Sequence, residues 1–75
     1  MTPDELRSFL TAYEAGSLQK AAGQMNLTQP TLSRRICRLE DVLGVTLFLR
    51  SPSGLEPTAY GHALARRARL VMPAE

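Results

Sequence analysis

LQKAAGQMNLTQPTLSRRICRLE, residues 18–40, reads as a short helix, a tight turn and a second helix with arginines along one side. The first segment sets Leu18, Ala21, Ala22 and Met25 at helical spacing, and its paired alanines are small enough to let another helix cross closely. The second sets Leu32, Ile36, Leu39 and Leu43 on one stripe and leaves Thr31, Ser33, Arg34, Arg35 and Arg38 off it. One face is core and the other is free. Two helices joined this way form a helix-turn-helix, whose second helix presents its N-terminal side chains to a DNA groove.

The charge distribution supports that reading better than the totals do. Formal net charge is only +2 over 75 residues. Between Glu14 and Glu40, however, there is no acidic residue, while Lys20, Arg34, Arg35 and Arg38 all fall there. A hydrophobic content of 44% supports one small core, and a chain this short gains stability from pairing with a second copy. The single cysteine excludes an internal disulfide. No apolar run is long enough to span a membrane, and the opening Thr2-Pro3-Asp4-Glu5 is no signal peptide, so a cytoplasmic location is expected.

Punctuation residues segment the rest. Thr2 and Glu5 stand three apart as a capping box with Pro3 at the first helical position, and Leu6, Phe9, Leu10 and Tyr13 recur at helical spacing behind them. A helix over 3–14 follows, stopped by Gly16. Ser17 caps the second helix, Asn26-Leu27 turn the chain with Leu27 plugging the core, and Thr28 caps the third helix with Pro30 in its first turn. Gly44 ends that helix. Val45, Leu47 and Leu49 then alternate with Thr46, Phe48 and Arg50 as a strand, and Ser51-Pro52-Ser53-Gly54 is turn chemistry leading to Leu55-Glu56, which makes a small hairpin or wing. Thr58 caps a last helix over 59–72, interrupted by Pro73. The expected fold is mainly α: three helices and a short β-hairpin form a winged helix-turn-helix over 1–58, followed by a linker or dimerisation helix over 59–75.

Each candidate contact has a physical reason. A helix N-terminus offers unpaired N–H groups and partial positive charge to phosphate, and its first turns reach base edges. Gln29, Pro30, Thr31, Ser33 and Arg34 occupy those turns. Gln29 suits an adenine edge, Arg34 a guanine or a phosphate, and Pro30 or Thr31 a thymine methyl, while Arg38, one turn on, suits a phosphate. Ser17 and Thr28 act first as caps and only secondarily as phosphate contacts. Glu40 and Asp41 at the far end would repel DNA, so the N-terminal end does the reading. Arg35 reads as plain surface, and Arg50 has Glu56 available as a cross-strand partner. In the last helix Tyr60, Ala63, Leu64, Ala68 and Val71 form a small and apolar surface without an obvious partner inside so small a domain, which marks a contact between copies.

Catalysis has no foothold. One histidine and one cysteine cannot build a nucleophilic set, His62 has no second ligand at metal spacing, and there is no glycine-rich phosphate loop. No enzyme activity, metal or cofactor is expected. The remaining alternative is a winged-helix module used only for protein pairing, for which an acid-free stretch over 15–39 has no purpose.

The segments SLQKAAGQMNLTQPTLSRRICRLEDVLGVTLFLR and PTAYGHAL resemble the N-terminal winged helix-turn-helix domain of LysR-type transcriptional regulators. Ser17, Ala21-Ala22, Gln29-Pro30, Ser33, Leu39-Glu40, Leu43-Gly44, Leu47-Phe48, Arg50, Thr58 and Gly61 fall in register without a gap. The resemblance implies an operator-reading domain that binds double-stranded DNA at an inverted repeat, pairs as a homodimer through the last helix, and adds wing contacts, here Arg50 and Ser53. It also implies a C-terminal domain, absent from this chain, that binds a small effector molecule.

Overall fold

The computed structural model describes residues 2–71. Six elements follow in order: α1 (Pro3–Ala15), α2 (Leu18–Met25), α3 (Gln29–Leu43), β1 (Phe48–Ser51), β2 (Gly54–Pro57) and α4 (Ala59–Val71). The expected end of the last helix at Met72, its interruption by Pro73, and the remainder of 59–75 lie outside the described residues.

The helix boundaries are set by local chemistry. Thr2 and Glu5 form the reciprocal box: the Glu5 N–H donates to Thr2 Oγ1 at 3.1 Å and the Thr2 N–H to Glu5 Oε1 at 2.8 Å. Gly16 closes α1 at φ 75°, Asn26 closes α2 at φ 56° and Gly44 closes α3 at φ 71°, left-handed conformations that glycine and asparagine adopt most cheaply. Ser17 and Thr28 cap α2 and α3 by accepting the N–H groups of Lys20 and Thr31.

Phe9, Ala12, Ala21, Ala22, Leu32, Ile36, Leu39, Leu47, Phe48 and Ala65 form one core, with Leu18, Met25, Leu27 and Leu64 packed against it. The stripe expected on α3 is buried through Leu39, whereas Leu43 is exposed as the helix leaves the domain. Ser8 is also fully buried, its hydroxyl turned back to the Asp4 carbonyl at 2.8 Å.

The wing differs from the expected phase. Residues 45–47 are not strand, β1 begins at Phe48, and Phe48 is buried while Leu49 is 57% exposed. The cause lies in the hydrogen bonds before the strand. Glu40 Oε2 accepts the N–H groups of Leu47 at 2.7 Å and Phe48 at 3.4 Å, and the Leu47 carbonyl accepts the Thr58 N–H at 2.9 Å. Those groups are therefore withdrawn from sheet pairing, and Leu47 and Phe48 both turn inward. The hairpin then pairs Phe48 with Pro57, Leu49 with Glu56, Arg50 with Leu55 and Ser51 with Gly54.

Two backbone approaches lock the wing to the helices. The Leu55 N–H donates to the Gly16 carbonyl at 3.0 Å, and a Cβ on Gly54 would stand 2.6 Å from that oxygen. At the other end, Gly61 passes so close to the Leu47 carbonyl that any side chain there would collide with it.

Helix α4 lies on the domain differently from the expectation. Ala68 is 2% exposed, and Leu64 packs against the domain's own core beside the buried Ala65, so neither faces outward. The helix docks on α1 through a bond between Tyr13 Oη and His62 Nδ1 at 2.8 Å and an ion pair from Arg69 to Glu14 at 3.3 Å. Its outward surface carries Tyr60, Ala63, Leu70 and Val71, the last two 86% and 74% exposed.

Candidate nucleic-acid interface

The N-terminal turn of α3 stands clear of the rest of the domain, with Gln29 and Pro30 exposed and Thr31 and Ser33 half-buried. Thr28 fixes this turn twice, accepting the Thr31 N–H at 3.3 Å and donating its hydroxyl to Thr31 Oγ1 at 2.8 Å. The cap takes the Thr31 N–H and Pro30 has none, so the first turn offers the Gln29 N–H together with the positive end of the helix dipole. Arg34 and Arg38 are exposed and form no ion pair among the described residues. Both cations remain available to an anionic partner.

Beside this turn lies an open hollow lined by Leu18, Gln29, Pro30, Ser33 and Arg50. It joins the start of α2, the start of α3 and the wing. Ser17, the cap of α2, immediately precedes Leu18 at its edge, and its Oγ accepts the Lys20 N–H at 3.1 Å. Leu18 was expected in the core and is only half-buried, because the side chain that begins α2 covers the core and floors the hollow together.

Arg50 is the residue that the fold moves furthest from its simplest reading. The register sets it opposite Leu55 and puts Glu56 opposite Leu49, so no cross-strand ion pair with Glu56 forms. Its Nη2 donates instead to Ser33 Oγ at 2.5 Å and lies 3.9 Å from Cys37 Sγ. The wing's only arginine is thereby held over the middle of α3. Ser53, at the wing's tip, shares a hydroxyl contact of 2.9 Å with Ser51 and remains exposed.

Arg35 departs from the plain surface role expected of it. It is half-buried, and its Nη1 lies 3.5 Å from Ser8 Oγ on α1, because the face of α3 that carries it packs on that helix. Glu40 likewise has a structural task in the turn before β1. The site residues brought together are thus Gln29, Pro30, Ser33 and Arg50 around the hollow, with Thr28 and Thr31 above it and Arg34 and Arg38 along the exposed side of α3. Cys37, one turn beyond Ser33 on the same face, also comes within reach of the Arg50 guanidinium.

Comparisons with known proteins agree with this geometry. The model of the bacterial regulatory helix-turn-helix protein, lysR family, matches residues 3–62. The HTH-type transcriptional regulator AbaB of Streptomyces antibioticus is 46% identical over 63 residues, which are 84% of this chain and 21% of that protein. The HTH-type transcriptional activator AmpR of Rhodobacter capsulatus is 48% identical over 59 residues, 79% of this chain and 20% of that one. The chain therefore spans about a fifth of the length of these relatives. Among solved structures, the CbnR DNA-binding domain in complex with DNA superposes with a TM-score of 0.91 at 39% identity, covering 95% of this chain and 82% of that one. The BenM DNA-binding domain on its benA site 1 DNA gives 0.89 at 35% identity, covering 95% and 83%. No helix among the described residues is long and apolar enough to cross a membrane. With a family match over most of its length and a shared winged fold, the chain belongs to the lysR family of bacterial regulatory helix-turn-helix proteins.

Proposed function

We propose that the chain is the operator-reading part of a transcription regulator, binding double-stranded DNA at an inverted repeat. The observation that carries this reading is the exposed N-terminal turn of α3 beside Arg34 and Arg38, neither of them spent on an internal carboxylate. An arginine side without counter-charges favours phosphate, and an unobstructed first turn admits base edges. The DNA complexes formed by the CbnR and BenM domains of the same fold support it.

Gln29, Pro30, Thr31 and Arg34 read bases, Arg38 holds a phosphate, and Ser17, Thr28, Ser33, Arg50 and Ser53 line the flanking backbone. Two copies pair through α4, and a small effector acts through a region beyond this chain, in the cytoplasm. Selection of binding sites from a random duplex pool is the direct test. Arg34→Ala and Gln29→Ala should each cost about 1–3 kcal/mol on the selected site and relax preference at one position. Arg38→Ala should weaken all duplexes alike and reduce the dependence of log affinity on log salt by about one unit. A chain with no salt-dependent affinity for any duplex would sink this function.

A further inference from the structure

Tyr13 ties α1 to the last helix from a root in the core. Its half-buried ring leans on Phe9, with centroids 6.0 Å apart, and Phe9 in turn lies 5.3 Å from Phe48 at the base of the wing. From there the ring reaches out to α4 at two points. His62 meets it edge-on with centroids 5.6 Å apart, and His62 Nδ1 lies 2.8 Å from Tyr13 Oη. Arg69, two helical turns further along, sets its guanidinium carbon 5.5 Å from the centre of the same ring and pairs at 3.3 Å with Glu14, the next residue of α1. The rest of this seam is smooth. The buried positions of α4 are Gly61, Ala65 and Ala68, whose side chains are too small to interlock deeply with a neighbouring helix, and Leu64 packs on the core in the first half of α4. The start of the helix is held by the Thr58 N–H on the Leu47 carbonyl and by the close approach of Gly61 to that oxygen. That end is a pivot, and a swing about it is opposed at Tyr13 and Glu14.

We propose that Tyr13 and His62 are positioning residues for half-site spacing: their clasp fixes the angle of α4 on α1 and so, through two paired α4 helices, the separation of the two reading helices on an inverted repeat. The 13 residues of α4 make a rod of about 20 Å. A swing of about 10° carries the far end of such a rod about 3 Å, close to the rise of one base pair. Leu70 and Val71 of the proposed pairing surface stand at that far end, where the displacement is largest. His62, Glu14 and Arg69 are all exposed, so the clasp adds little to folding stability and acts on geometry instead.

This inference rests on the DNA-reading function and on pairing through α4, and spacing preference is the readout that a merely structural role would not move. The 75-residue chain is titrated against fluorescent duplexes carrying the selected inverted repeat, the same repeat with one base pair added or removed between its halves, and a single half-site. The unmodified chain should favour the selected spacing. Tyr13→Phe keeps the ring on Phe9 and removes the hydroxyl, while His62→Leu removes its partner. Each should lower the spacing preference about tenfold, because a bond worth about threefold is lost in each of two copies. Affinity for the half-site should stay as in the unmodified chain. His62→Asn sets an amide that both donates and accepts at the place of Nδ1 and should keep the preference. Tyr13→Phe combined with His62→Leu should lose no more than either alone. An unchanged preference in the two single variants overturns the proposal, as does a loss equally large on the half-site, a loss shared by His62→Asn, or an unmodified chain that pairs on DNA yet accepts every spacing. An inverted repeat bound no more tightly than two independent half-sites would instead remove pairing through α4, and failure to bind any duplex would remove the DNA-reading function, with this proposal falling in either case.

Discussion

Arg50 of the wing and Ser33 of α3 are joined by a hydrogen bond of 2.5 Å, so one guanidinium spans the two parts of the candidate interface. The base of the wing is tied to the far end of α3 through the Phe48 N–H and Glu40, and the wing is tied to the end of α1 through Leu55 and Gly16. Because the Arg50–Ser33 bond is exposed, Ser33→Ala should change folding stability by less than about 0.5 kcal/mol. Duplex affinity should nevertheless fall, since Arg50 loses the anchor that holds it over α3. A double-mutant cycle with Arg50→Ala checks this, because the two losses must fall short of additive if they share one contact. Full additivity would mean that Ser33 and Arg50 act separately.

Glu40 is a second long-range tie, with Oε2 serving two consecutive N–H groups at Leu47 and Phe48. Its position at the C-terminal end of α3 sets its charge against the helix dipole, a cost that those two bonds offset. Glu40→Ala leaves the Leu47 donor without its acceptor and should destabilise the domain by about 1–3 kcal/mol. Urea unfolding measures it, and a midpoint equal to that of the unmodified chain would show that water replaces the carboxylate at no cost.

Gly61 sits at the first turn of α4, where its N–H meets the Thr58 hydroxyl at 3.1 Å and its Cα faces the Leu47 carbonyl. Alanine is ordinarily the better helix residue by about 1 kcal/mol. Here its methyl would meet backbone, which cannot rotate away, so Gly61→Ala should instead cost about 1–3 kcal/mol. Thermal unfolding decides between the two signs. An increased melting temperature would mean that α4 lifts from the turn without loss.

The parts of this fold legible in the sequence are those fixed by neighbours in the chain. Thr2, Ser17 and Thr28 bond to N–H groups three residues on, and Gly16 and Gly44 end helices by their own backbone freedom. What the sequence hides depends on distant partners. The phase of β1 is turned by Glu40, seven residues before Leu47, and Arg35 finds Ser8 across 27 residues. Arg50 pairs with Ser33 rather than Glu56 because register, which a charge pattern alone does not determine, sets Leu55 opposite it. In α4, Leu64 and Ala68 looked free only because the surfaces that cover them belong to elements far earlier in the chain.

That last difference changes where the proposed pairing surface must be tested. Leu64 packs on the domain's own core, so Leu64→Asp should unfold the domain rather than separate two copies. Leu70 and Val71 are the exposed apolar residues at the far end of α4, with Tyr60, 60% exposed, at the near end. Leu70→Asp or Val71→Asp should therefore leave the melting temperature of the monomer nearly unchanged and shift the chain toward monomer in sedimentation. Binding to a palindromic duplex should weaken much more than binding to a half-site. Salt gives an independent check. Helix α4 carries Arg66, Arg67 and Arg69 and no carboxylate, and Glu14 pairs only with Arg69. Two such helices repel, so added salt should strengthen pairing while it weakens the hold on DNA. A dimer that persists in both aspartate variants, or that dissociates as salt rises, would place the seam on another surface.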